Sequence, residues 1–224
     1  MEQQRLYVAA RDGRVSEVSS LLSDQPEINV NWTNEDHWTP LIVASLRGHV
    51  EVVKLLLAHP DININLRSNS GSTPILLGCW NGKVSVVEVL LKDPRVDVKL
   101  DDDDGCTPLW HASCKGKHEV IEWLIASDRE LGDVKNKKAI WGGKGYTALE
   151  IARKLKKTEA VSVLERFIAN PTLTRHKLRV KLGALDELAA EVFALTVFLC
   201  DDLLQLKSAS RLAATPHPAT TAAI

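Results

Sequence analysis

Apolar residues along much of this chain fall in short blocks that recur at a fixed interval. The segments HWTPLIVASLRGHVEVVKLLL (37–57), GSTPILLGCWNGKVSVVEVLL (71–91) and GCTPLWHASCKGKHEVIEWLI (105–125) align without gaps, and Thr39, Thr73 and Thr107 stand 34 residues apart. Each block predicts two helices. The threonine is placed to cap the first, and the proline after it takes the first helical position, where its missing N–H costs nothing. Gly48, Gly82 and Gly116 then end that helix, because glycine enters the left-handed region without penalty. In the second helix Val52, Val53, Leu55, Leu56 and Leu57, and their counterparts in the next two blocks, are too apolar for a helix covered on one side. Both flanks must be buried, and stacking similar units achieves that.

Two weaker copies flank the three good ones. LYVAARDGRVSEVSSLL (6–22) keeps Leu6, Ala9, Gly13, Val18 and Leu21-Leu22 without Thr-Pro, as suits an N-terminal cap with a solvated outer face. YTALEIARKLKKTEAVSVLERF (146–167) keeps Thr147, Leu149, Ala152, Val161 and Leu164 and puts Lys156 where the others have glycine. Thr107 and Thr147 are 40 residues apart. An insertion within 126–146, around KNKKAIWGGKG, is therefore expected to project as a loop and is a candidate contact element.

With hairpin, T-P-L, glycine and V-V-x-L-L-L in this order, the sequence resembles the ankyrin-repeat family. It departs from the family at the histidine after T-P-L, where Ile42, Leu76 and Trp110 stand and His111 follows one place later. The resemblance implies an all-α repeat fold, a solenoid of about five helix-turn-helix repeats with short hairpin loops and a C-terminal helical extension. The expected division is 1–33 as N-cap repeat, 34–67, 68–101, 102–141 with the insertion, and 142–168 as a degenerate repeat, closing the repeats at 168.

From Asn170 the pattern changes, and residues 170–207 read as one or two helices that cap the last repeat or bind a partner. About residues 170–206 resemble the extension that follows the repeats in a group of fungal ankyrin proteins. The uncharged run Val192–Cys200 falls far short of the roughly 20 residues a membrane span needs. The Ala/Thr/Pro-rich stretch 208–224 is expected to be a disordered tail, and the whole to be a piece or a short form of a longer architecture.

Composition adds a location and a polarity. The four cysteines (Cys79, Cys106, Cys114, Cys200) make no close CxxC pair, and no apolar signal segment opens the chain, which predicts the cytoplasm, with the nucleus as alternative. A net charge of −1 conceals an imbalance: residues 1–134 hold 13 basic and 21 acidic side chains, whereas 135–181 hold 13 basic and 3 acidic. Such a body orients a charge-complementary partner, although much of the basic section reads as solvated surface.

Three segments invite chemistry, and each fails on register. Cys106, His111, Cys114 and His118 are zinc-ligand types, but the repeat puts Cys106 in a hairpin and His118 on the second helix, away from a common centre. Asp101-Asp102-Asp103-Asp104-Gly105 would need Asp at Leu100 and Glu at His111 to form a calcium loop. WGGKGYT (141–147) lacks the order of a phosphate-binding loop and reads as a turn. The sequence therefore predicts no catalytic, cofactor or metal site and a non-enzymatic protein.

As the resemblance implies, a partner would meet the hairpin tips and the inner face of the first helices, which form a concave surface in the family. On those columns the candidate contacts are Trp38, Leu46, Arg47, Trp80, Asn81, Asp103, Asp104, Lys115, Tyr146 and Lys154. Trp38, Trp80 and Tyr146 lead, because tryptophan and tyrosine dominate hot spots, with packing between repeats the competing role for the two tryptophans. Trp110 and His111 are placed in the core. The expected partner is another protein, bound by a monomer; few stacking aromatics accompany the lysines, which argues against nucleic acid. The alternative is a recruitment module of a larger enzyme or effector whose active part lies outside the chain.

Overall fold

Helices come in pairs throughout the computed structural model, which describes residues 2–184. The pairs are α1 (Glu2–Asp12) with α2 (Val15–Asp24), α3 (Pro40–Arg47) with α4 (Val50–Leu57), α5 (Pro74–Asn81) with α6 (Val84–Lys92), α7 (Pro108–Lys115) with α8 (His118–Ala126), and α9 (Ala148–Lys154) with α10 (Thr158–Ala169). First helices touch one another in a row from α1 to α9, and second helices form a parallel row from α2 to α10. Leu56, Leu90, Ile121, Leu124 and Leu164 of the second row are fully buried, so each pair completes the core of its neighbours.

The helix starts and stops follow the residues that predict them. Thr39, Thr73 and Thr107 accept hydrogen bonds from the amides of Ile42, Leu76 and Trp110 at 3.1, 3.4 and 3.2 Å. Thr147, which lacks the following proline, makes a reciprocal box with Glu150 instead: the Glu150 amide donates to its hydroxyl, and its own amide donates to the Glu150 carboxylate. Gly48, Gly82 and Gly116 have φ of 89°, 68° and 69°, and Lys156 adopts φ 56° at the equivalent place.

Each hairpin is tied by one short polar side chain. Asn34 accepts from the amides of Trp38 and Asp36, Ser68 from Ser72, and Asp102 from Cys106 and Asp104. Successive hairpins then join edge to edge, with the amides of Asn69, Asp103 and Ile140 donating to the carbonyls of Asp36, Ser70 and Asp104.

Between α2, α4 and α6 and the hairpins that follow them, an apolar pair that the sequence reading did not single out is buried: Ile28 and Val30, Ile62 and Ile64, Val96 and Val98. Asn31 and Asn65 span the repeats beside them. Asn31 donates to the Asp61 carbonyl and accepts from the Asn63 amide, and Asn65 does the same with Arg95 and Asp97.

The insertion is a β-hairpin, β1 (Ala139–Trp141) with β2 (Lys144–Tyr146), antiparallel, turning on Gly142 and Gly143 at φ 56° and 75°. Two positive φ values in a two-residue turn suit the right-handed twist of the strands. After α10, Pro171 starts α11 (Pro171–Lys181), which packs on α8 and α10 inside the compact body that runs to Leu182. α11 falls within the expected 170–207 extension and belongs to the same compact body as the repeats. The remainder of the expected extension and the 208–224 tail lie outside the described residues.

Candidate functional site

The surface of the first-helix row is built from the two positions before each helix-ending turn. Leu46 and Arg47 end α3, Trp80 and Asn81 end α5, Cys114 and Lys115 end α7, and Lys154 ends α9. Of these, Cys114 is buried, Leu46, Trp80 and Asn81 are half-buried, and Arg47, Lys115 and Lys154 are exposed. Asn81 turns inward on its own helix, its amide donating to the Leu77 carbonyl at 3.0 Å. Trp38 is half-buried against the core, and its amide is held by Asn34.

The aromatic candidates are engaged across repeats. Trp80 meets His111 of the next repeat edge-on, with centroids 5.0 Å apart, and the Lys115 ammonium lies 3.7 Å above the Trp80 ring. Lys154 forms a second station of the same kind. Its ammonium is 4.3 Å from the Tyr146 ring centre and 5.1 Å from that of Trp141, and it donates to the Tyr146 hydroxyl. Trp141 is 39% exposed and Ile140 55% exposed. In the sequence Trp141 lies within the insertion expected as a contact element, in a segment that reads as a turn. The signal was present: aromatic and β-branched residues on both sides of Gly-Gly mark a hairpin, and that register sets Trp141 opposite Lys144.

The four aspartates diverge instead of converging on an ion. Asp101 pairs with Lys137 at 2.6 Å, Asp103 with Arg67 at 3.3 Å, and Asp102 turns inward to the hairpin amides. Asp103 and Asp104 remain exposed at the tip.

Of the zinc-ligand types, Cys106 and His111 do come together, joined by Asp102, which the sequence reading had not placed with them; the three ligand atoms lie within 4.8 Å of one another. The donors are committed to each other. His111 Nε2 is 2.7 Å from Asp102 Oδ2, and burial, with the negative charge of Asp102 beside it, pushes the Cys106 thiol upward and keeps it protonated. Burial raises the Asp102 carboxyl, but its bonds to His111 and to the Cys106 and Asp104 amides prevail and hold it below the usual carboxylate range. The cluster pins hairpin to helix. Trp110, buried, sends its indole N–H to the Tyr146 carbonyl at 2.8 Å and so anchors the inserted hairpin.

Part of the basic section is structural, where solvated surface was expected. Arg175 and Arg179 donate to the carbonyls of Ile125 and Ala126 at the end of α8, and both pair with Asp128. Arg95 reaches the Leu57 carbonyl and Arg129 the Leu91 carbonyl at the ends of α4 and α6, so α11 performs for α8 what loop arginines perform earlier. Lys181 holds Glu122, which is 4% exposed, with contacts of 2.6 and 2.7 Å.

Stacked helix pairs with hairpin spacers and a buried second row define a helical repeat solenoid. The family description Ankyrin repeats (3 copies) matches residues 6–102, and the description Ankyrin repeat matches residues 104–137. The chain belongs to the ankyrin-repeat family. No curated protein gives a significant match to it. Ankyrin repeats generally mediate protein–protein interaction, and proteins built from them are typically non-enzymatic modules. Among the described residues no helix is long and apolar enough to cross a membrane.

Proposed function

We propose that this chain is a non-enzymatic scaffold that holds a partner protein on the surface made by its first helices and hairpin tips. The observation that carries the reading is the run of side chains on two adjacent columns at the ends of the first helices, Arg47 and Lys115 on one and Trp80 and Lys154 on the other, that are exposed or half-buried in a row whose other positions are largely buried. Backbone and second row are fixed by packing, so these groups are ordered before a partner arrives and little entropy is lost on binding. The mechanism is shape with charge: aromatic rings supply contact area, and the lysines above them supply orientation.

The test is affinity capture from cell extract with the wild type and with a Trp38→Ala, Trp80→Ala double variant. The expected result is unchanged helical circular dichroism with captured partner reduced about tenfold. Equal recovery by the folded variant removes this surface from the proposal.

A further inference from the structure

We infer that the corner formed by α7, α9 and the inserted hairpin receives an acidic, extended peptide segment of the partner, with carboxylates on Lys115 and Lys154 and an apolar side chain on Trp141. This deepens the scaffold reading and rests on it. Among the described residues, several cations of the repeats are matched: Arg5, Arg14, Lys54, Arg67, Lys92, Lys99 and Lys137 each have a carboxylate within ion-pair distance, whereas Arg47, Lys83, Lys117, Lys156 and Lys157 are among those that have none. Lys115, Lys144 and Lys154 have none, although the nearby Arg153 is paired with Glu165. Two of the three are instead held over aromatic rings, which keeps the ammonium extended and available to an anion.

Spacing favours a strand. Neighbouring packed helices are about 8–10 Å apart, and an extended chain rises about 3.3 Å per residue, so carboxylates two residues apart, about 7 Å along one face of a strand, come within side-chain reach of Lys115 on α7 and Lys154 on α9 together. Lys144, across β1–β2 from Trp141, extends the basic edge past the exposed ring. A long polyanion fits less well. The hairpin stacked against β1 presents Asp103 and Asp104, which repel a continuing phosphate backbone but accept a basic residue in a mixed peptide.

Fluorescence anisotropy on the full chain tests this with a labelled peptide carrying glutamates two residues apart and a phenylalanine two residues further on, all on one face of an extended chain, and with its glutamine counterpart. The glutamate peptide binds at low salt, the glutamine peptide binds at least about tenfold more weakly, and added salt weakens the former. Lys115→Glu with Lys154→Glu lowers affinity by about tenfold or more, whereas Lys54→Glu with Lys92→Glu, the same charge change on second helices, leaves it unaltered. If the reversed variant loses helical signal, Lys115→Gln with Lys154→Gln takes its place. Equal losses in both lysine pairs, no binding, or tighter binding of a single-stranded oligonucleotide would overturn the inference. Failure of the peptide while capture stays sensitive to Trp38 and Trp80 sinks this inference and leaves the scaffold reading standing.

Discussion

The α5/α6 pair and the α9/α10 pair are the same unit solved in two ways. In the first, Thr73-Pro74 opens the helix, Gly82 closes it, and helices on both sides cover α6. In the second, Thr147 is followed by Ala148 with Glu150 closing a capping box, Lys156 occupies the left-handed turn, and α11 lies across α8 and α10. The middle unit depends on its neighbours, and the end unit has local devices in place of one neighbour. That difference also sorts the charge. Arginines near the C-terminal end are spent on helix termini, and the lysines of the first row are left to solvent.

The comparison breaks most severely at Leu90. It is fully buried in α6, between the second helices on either side, so Leu90→Ala leaves a cavity facing two neighbours. The expected loss is about 3 kcal/mol, read from urea unfolding by circular dichroism. Val161→Ala in α10, at a half-buried position, should cost about 1 kcal/mol or less. Equal losses would mean that the end unit is as tightly enclosed as the middle one.

Next in size is the pin between hairpin and α7. Asp102→Asn keeps an acceptor for the Cys106 and Asp104 amides but weakens the bond to His111, with an expected cost of about 1–2 kcal/mol at neutral pH. The sign with pH follows from the direction of the shift. Because folding lowers the Asp102 carboxyl, its contribution is present above the ordinary unfolded value of about 4 and is lost as pH falls through the folded value. Asparagine does not titrate, so the variant's stability should fall less steeply below about pH 4 than that of the wild type. Parallel acid limbs in the two proteins would show that the pair adds nothing to acid sensitivity.

Much of the fold was legible because helix caps, glycine stops and the apolar second helices each carry a local physical signature, repeated in register. Thr39, Thr73 and Thr107 cap the helices their spacing predicts. The candidate columns were legible as positions on the first helices, but the burial and neighbours of their side chains were not. Whether Trp80 is free or covered depends on Lys115 and His111, 35 and 31 positions away, and no pattern along one repeat encodes that cross-repeat contact. The WGGKGYT segment reads as a turn, which hides Trp141 as an individual contact although the insertion around it is a candidate contact element. Asp102 belongs to an acidic run whose pattern is that of a failed calcium loop, and nothing along the chain ties it to the Cys and His zinc types that the fold brings beside it. The buried Ile62/Ile64 pair alternates with the polar Asn63 and Asn65, a two-residue period too short to stand out beside the helices.

The smallest effect sharpens the comparison most, because the same position should respond with opposite sign in the two units. Gly82 has φ 68°, and a Cβ there would lie 2.6 Å from the Lys117 side chain, whose flexible stem can move aside. Gly82→Ala should therefore cost about 1 kcal/mol, chiefly from forcing a Cβ into the left-handed region. Lys156 already bears that strain at φ 56° and is exposed, so Lys156→Gly relieves it at the expense of a more flexible unfolded chain. A net gain of up to about 1 kcal/mol is expected. Both are measured by the shift in urea midpoint at unchanged slope. A loss on Lys156→Gly would mean that the lysine stem contributes packing that outweighs its backbone strain, and the end unit would then differ from the middle one by design of that turn as well as by its caps.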